Sequence, residues 1–90
     1  EEARARGWVI ERLMCDFAFS PSELARLFPA HAPAILADAR KLVAEDRGTL
    51  FAEERDRFVV TPEGRPLVRT VAAGFDTFLR TGKARHSAAV

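Results

Sequence analysis

The sequence predicts a mostly α-helical domain completed by a small β-hairpin. Three features lead there. Apolar residues recur at helical spacing in separate segments, proline and serine punctuate the segment starts, and two short apolar runs flank the charged tetrapeptide EERD. At 90 residues the chain is one small domain, near the size at which a single hydrophobic core suffices. Hydrophobic residues make up 48% and charged residues 30%, so the composition is that of a folded, soluble domain and not of a disordered one.

The first helix rests on Val9, Leu13 and Phe17 at i, i+4 and i+8, with Ile10, Met14 and Phe17 at i, i+4 and i+7 broadening the apolar face. Arg4, Arg6, Glu11 and Arg12 fill the remaining face, and the pattern fades between Asp16 and Ala18. Trp8 either buries or forms an interface. FSPSEL then carries three helix-start devices: Ser20 as N-cap, Pro21 at the first helical position and Glu23 three residues after the cap. Phe19 and Leu24 suit a hydrophobic staple. This short helix runs from Pro21 to Phe28 and stops at Pro29, which disfavours helical backbone before it.

After the turn HAP, Pro33 opens a third helix whose stripe is Ile35, Leu36, Ala39, Leu42 and Val43, running to about Asp46. Gly48 supplies a left-handed stop. TLFA and RFVV, on either side of EERD, form the two strands of an antiparallel hairpin. In TPEG, Thr61 caps and Pro62 opens a long final helix, or the helix begins one turn later because Pro66 donates no backbone hydrogen bond. Val68, Val71, Ala72, Phe75, Phe78 and Leu79 keep helical spacing until Gly82, and the tail KARHSAAV is loose unless another surface holds it. Three helices, a two-stranded hairpin and a long C-terminal helix make a winged-helix-like order.

The formal net charge of +1 gives no strong field to draw in nucleic acid or an anionic membrane. No apolar run approaches the length of a transmembrane helix, and the start EEARAR is unlike a signal peptide. One cysteine makes no internal disulfide, which fits a reducing, cytoplasmic setting. The missing initiator methionine and the direct entry into a helical pattern suggest an excised domain.

Four motifs occur in series: VIERLMCDF from Val9, VTPEGRPLVR from Val60, FDTFL from Phe75, and the terminal ARHSAAV. Together they resemble the C-terminal domain of the oxygen-independent coproporphyrinogen III oxidases, also called coproporphyrinogen III dehydrogenases, over nearly the whole chain. The resemblance implies a parent radical S-adenosylmethionine oxidoreductase of haem synthesis. That enzyme oxidatively decarboxylates two propionates of coproporphyrinogen III, giving protoporphyrinogen IX. It also implies that S-adenosylmethionine and a 4Fe-4S cluster sit in a larger N-terminal catalytic domain bearing a CxxxCxxC motif. Three thiolates cannot come from one cysteine, so this chain holds no cluster and alone is expected to be inactive. Its implied role is to complete the active-site cleft and help exclude water. The sequence departs from the family pattern at Pro66 (usually leucine), Thr70 (asparagine), His86 (phenylalanine) and Ala88 (arginine), and Thr49 hints at a one-residue insertion. A divergent radical S-adenosylmethionine relative with a haem-handling role is the alternative those departures raise.

Cys15, between Leu13, Met14 and Phe17, reads as a small buried side chain packing near the cleft and not as a reactive thiol or a ligand. Arg65 and Arg69, four apart, suit the carboxylates of a propionate-bearing substrate, because a guanidinium binds a carboxylate bidentately. Interdomain or surface salt bridges, with Glu63 or Asp76 as partners, are the plainer use. His31 reads as a loop or capping residue, and neither it nor His86 has a metal-ligand neighbour at suitable spacing. By resemblance His86 lies in a tail that reaches toward the catalytic domain and packs there. Phe75 and Phe78 read as core, with Asp76 off their stripe and available to an arginine across an interface.

Nucleic-acid binding would place the third helix in a major groove and the hairpin on the backbone. Asp38, Glu45, Asp46 and EERD put acids on both surfaces and oppose it. A protein-interaction module is the remaining class, and an upstream CxxxCxxC in the same reading frame would separate it from a domain of the oxidase.

Overall fold

A computed structural model describes residues 1–76. Four helices and a three-stranded antiparallel sheet follow in the order α1 (Glu2–Asp16), β1 (Ala18–Phe19), α2 (Pro21–Leu27), α3 (Ala32–Asp46), β2 (Phe51–Glu54), β3 (Arg57–Val60) and α4 (Val68–Ala73). A single 3-10 turn, Arg65–Leu67, leads into α4. The fold is therefore mostly α with a small β part, as the spacing predicts. The predicted Phe78, Leu79, Gly82, His86 and tail features lie outside the described residues.

The punctuation residues act as their chemistry requires. The backbone N–H of Glu23 donates to the Ser20 hydroxyl at 3.2 Å, capping α2, whose first residue is Pro21. Helix α3 ends where Arg47 and Gly48 turn left-handed, at φ 56° and 69°. The Asp46 carboxylate then accepts from the N–H groups of Leu50 and Phe51, tying the end of α3 to the start of β2.

Strand β3 is central in the sheet order β1-β3-β2. Glu54 pairs with Arg57, so the hairpin turns on Arg55 and Asp56 alone, with Arg55 at φ 54°. The strands thus sit closer to the tip than the TLFA and EERD division implies, because the two glutamates join the ladder. Strand β1, unforeseen in the sequence, pairs Ala18 with Val59 and Phe19 with Phe58.

The core lies between the sheet and α1, α3 and α4. Phe58 stacks between Phe19 at 5.3 Å and Phe51 at 5.7 Å, and Phe75 meets Phe19 and Phe51 edge-on at 6.0 and 5.8 Å. Offset and edge-on contacts of this kind add to the area such rings bury. Val9, Leu13, Leu24 and Ile35 complete the interior.

Three expectations need correction. Cys15 is exposed, not buried. It lies two residues beyond the fully buried Leu13, roughly 200° round the helix, which turns it away from the core. Arg6, assigned to the outer face of α1, is only 6% exposed, since it shares the stripe of Val9 and Leu13 at i+3 and i+7. The final helix takes the later of its two expected starts but is short, not long, among the described residues: Pro62–Gly64 form a turn, the segment with Pro66 is 3-10, and α4 ends at Ala73 before Gly74.

Candidate functional site

The sequence-predicted site residues divide between two faces of α1. Trp8 lies half-buried on one, its ring 6.4 Å from Phe19 and 6.5 Å from Phe28, so at least part of its surface serves the domain's own packing. Cys15 is exposed on this outward side of the helix, next to Asp16, which pairs with Arg12 at 2.9 Å. Arg65, Arg69 and Asp76 gather on the other face, where α4 packs against α1. His31 precedes α3 at its N-cap without a side-chain capping bond, and its carbonyl accepts from Ile35 at 3.2 Å.

The position of Arg65 is built from the sequence upward. Thr61 accepts from Gly64 and Arg65 at its carbonyl, and its hydroxyl donates to the Thr49 carbonyl while accepting from the Gly64 N–H. The turn therefore presses onto the entry of β2. A Cβ on Gly64 would lie 2.2 Å from the Leu50 carbonyl oxygen, so only glycine fits there. Arg65 leaves this fixed turn with its guanidinium 4.7 Å above the Phe17 ring centroid, a cation–π distance.

Phe17 is itself held in an unusual way. It takes a left-handed conformation, φ 59° and ψ 23°, at the end of α1, which is uncommon for a bulky residue. Its N–H donates to Leu13 at 3.0 Å and its carbonyl accepts from Val60 at 2.7 Å. The aromatic platform under Arg65 is thus locked between the helix end and the sheet.

Arg69 stands one turn further along and borders a shallow hollow floored by Ile10, Met14, Ala72 and Ala73, with Asp76 at its edge. Met14 is 37% exposed. Among the described residues neither Arg65 nor Arg69 forms an ion pair, so the proposed Glu63 and Asp76 partnerships are not made with them there. What the face offers chemically is an apolar floor bordered by the Arg69 guanidinium and the Asp76 carboxylate, together with the Arg65 guanidinium over Phe17, and such guanidinium groups suit a carboxylate attached to an apolar body.

The helical spacing places Ile10, Met14 and Phe17 on the broad apolar face of α1, where Ile10 and Phe17 do pack against the core, but gives no sign that Phe17 supports Arg65. A signal for an open face was present. Two overlapping apolar stripes on one helix are more than a small core needs, and the second, Ile10–Met14–Phe17, is the one left partly open. Among the described residues no group of three or more histidines, cysteines, aspartates or glutamates is placed to hold a metal ion. The chain's donors do not fit a 4Fe-4S cluster, since it has one cysteine. Nor is any described helix long and apolar enough to cross a membrane.

No family model matches the chain. Among solved structures, the coproporphyrinogen III oxidase of Escherichia coli, described as a radical SAM enzyme, superposes with a TM-score of 0.72 at 27% identity. The match covers 86% of this chain and 18% of that one. The class so defined is a helical domain with a small sheet, of the kind found within a radical SAM enzyme. More narrowly, the chain is similar along nearly its whole length to one segment of proteins named oxygen-independent coproporphyrinogen III oxidase. It is 36% identical to that oxidase from Bradyrhizobium diazoefficiens over 90 residues, all of this chain and 20% of the relative. It is 37% identical to the one from Thermostichus vulcanus over 84 residues, 89% of this chain and 25% of the relative. The chain thus spans about a fifth to a quarter of the length of the curated relatives it matches.

Proposed function

We propose that this chain is the C-terminal domain of an oxygen-independent coproporphyrinogen III oxidase, and that the oxidoreductase chemistry belongs to a radical SAM domain of the same polypeptide. The observation that carries the reading is the match over 83 to 90 residues to four proteins of that one name, joined to the superposition on the Escherichia coli enzyme. Each conversion of a propionate to a vinyl group releases carbon dioxide, a proton and two electrons. S-adenosylmethionine and a 4Fe-4S cluster supply that oxidising chemistry outside this chain.

The role of this domain is to complete the cleft and keep water from the reacting intermediate. Arg65 and Arg69 give its α1–α4 face an affinity for carboxylates. The element order, with one strand between the first two helices and a hairpin after the third, supports the winged-helix-like reading. In this setting that order serves packing and not nucleic-acid readout, because the exposed hairpin carries Glu53, Glu54 and Asp56.

The test is anaerobic turnover of coproporphyrinogen III by the longer gene product with its cluster reconstituted. We expect protoporphyrinogen IX from the intact polypeptide and none from the 90-residue chain. An upstream reading frame without CxxxCxxC, or an intact product that leaves both propionates in place, would overturn the reading.

A further inference from the structure

We propose that the strip formed by Ile10, Met14, Phe17, Arg65 and Arg69 is the surface on which the rest of the longer polypeptide seats. An apolar side chain enters the hollow and a protein carboxylate meets the two arginines. This rests on the reading above, that the chain is one domain of a larger enzyme, and it assigns the contact to the α4 side of α1 and not to Trp8 or Cys15.

Three observations converge on the strip. Met14, 37% exposed, is one of the three large exposed apolar side chains among the described residues. It lines the hollow together with Ile10 and Arg69. Interface centres are enriched in methionine, aromatic residues and arginine, and this strip combines all three. Arg65 is already ordered on Phe17, so less side-chain freedom is lost when a carboxylate binds it. The left-handed Phe17 stores backbone strain where that support is needed.

The other faces lack this combination. The outer side of α3 shows Ala34, Ala37 and Ala44 among Arg40, Lys41 and Glu45, and the hairpin tip is charged throughout. The opposite side of α1 is occupied by its own ion pairs, Arg4 with Glu1 and Arg12 with Asp16. A protein occupant is favoured over a small carboxylate because the hollow is shallow and the apolar surface continues beyond it along α1. The relatives, four to five times longer than this chain, supply ample polypeptide to cover it.

Met14 is the chain's one methionine, so its oxidation by hydroxyl-radical footprinting reads the strip without ambiguity. In the longer polypeptide its conversion to sulfoxide should be several-fold slower than in the 90-residue chain. The double variant Arg65→Glu/Arg69→Glu, at two exposed positions, should return the rate toward that of the short chain. Leu27→Glu, on the exposed side of α2, should leave it unchanged. Equal oxidation in both proteins overturns the proposal. Protection in the short chain that grows with its concentration assigns the strip to a second copy, and protection only on adding a propionate-bearing tetrapyrrole assigns it to substrate; either result also overturns it. Turnover with an unprotected Met14 sinks this docking alone, whereas protection without turnover sinks the assigned reaction and leaves the docking standing.

Discussion

Arg6 is the residue on which three helices meet. Its guanidinium reaches Glu2 at 2.9 Å on α1, Asp38 at 2.8 Å on α3 and the Phe75 carbonyl at 3.4 Å just past α4. Burying such a charge is tolerable because each edge finds a partner. Arg6→Met keeps much of the apolar stem and removes the charge. It should cost about 1–3 kcal/mol, since the carboxylates left behind remain partly hydrated. A urea midpoint within error of the parent would show that the triad adds nothing. The helical spacing of Arg6 with Val9 and Leu13 made its burial legible in the sequence, but charge is usually a mark of the outer face and hides that signal. Cys15 is the reverse case. Its apolar neighbours suggest burial, and the helix angle denies it.

At the scale of elements, the turn from Thr61 to Gly64 has the least tolerance. Gly64→Ala would drive a methyl group into the Leu50 carbonyl, so either the turn or the entry of β2 must move. The expected loss is roughly 1–3 kcal/mol, the usual range for overpacking. In thermal denaturation of a domain this size each kcal/mol lowers Tm by about 4–8 °C. An unchanged Tm would mean that the close approach is absent in solution. Helix starts were the best-read elements because Ser20, Pro21, Glu23 and Pro33 act locally, through bonds within a few residues. The hairpin was placed but its register was not, for Arg55 and Asp56 lack the usual turn signal and the glutamates pair as strand. Strand β1 left no mark at all. Two residues show no periodicity, and their partner lies far along the chain.

For the whole molecule, helix count and order followed from periodicity, while the Arg65–Phe17 stack and the α1–α4 hollow came only with the fold. Site residues that depend on tertiary proximity carry no local pattern. The two segments that build this face, Ile10 to Phe17 and Arg65 to Asp76, are remote in sequence and meet because the sheet and the packed helices bring them together. The same arrangement sets an order of events in time. Ala18 and Val59 lie on opposite sides of α2, α3 and β2, so their pairing needs a long loop to close, whereas the β2–β3 hairpin forms between neighbours. Non-local pairings contribute only after that entropy has been lost, which places them late on the folding route. Destabilising Ala18 should therefore accelerate unfolding in stopped-flow experiments and leave the refolding rate nearly unchanged. A slowed refolding limb would put this strand in the nucleus instead. If it does zip last, the Val60-to-Phe17 bond and the arginine platform above it appear only at the final step. The surface for a neighbour would then be absent from every partly folded form of the domain.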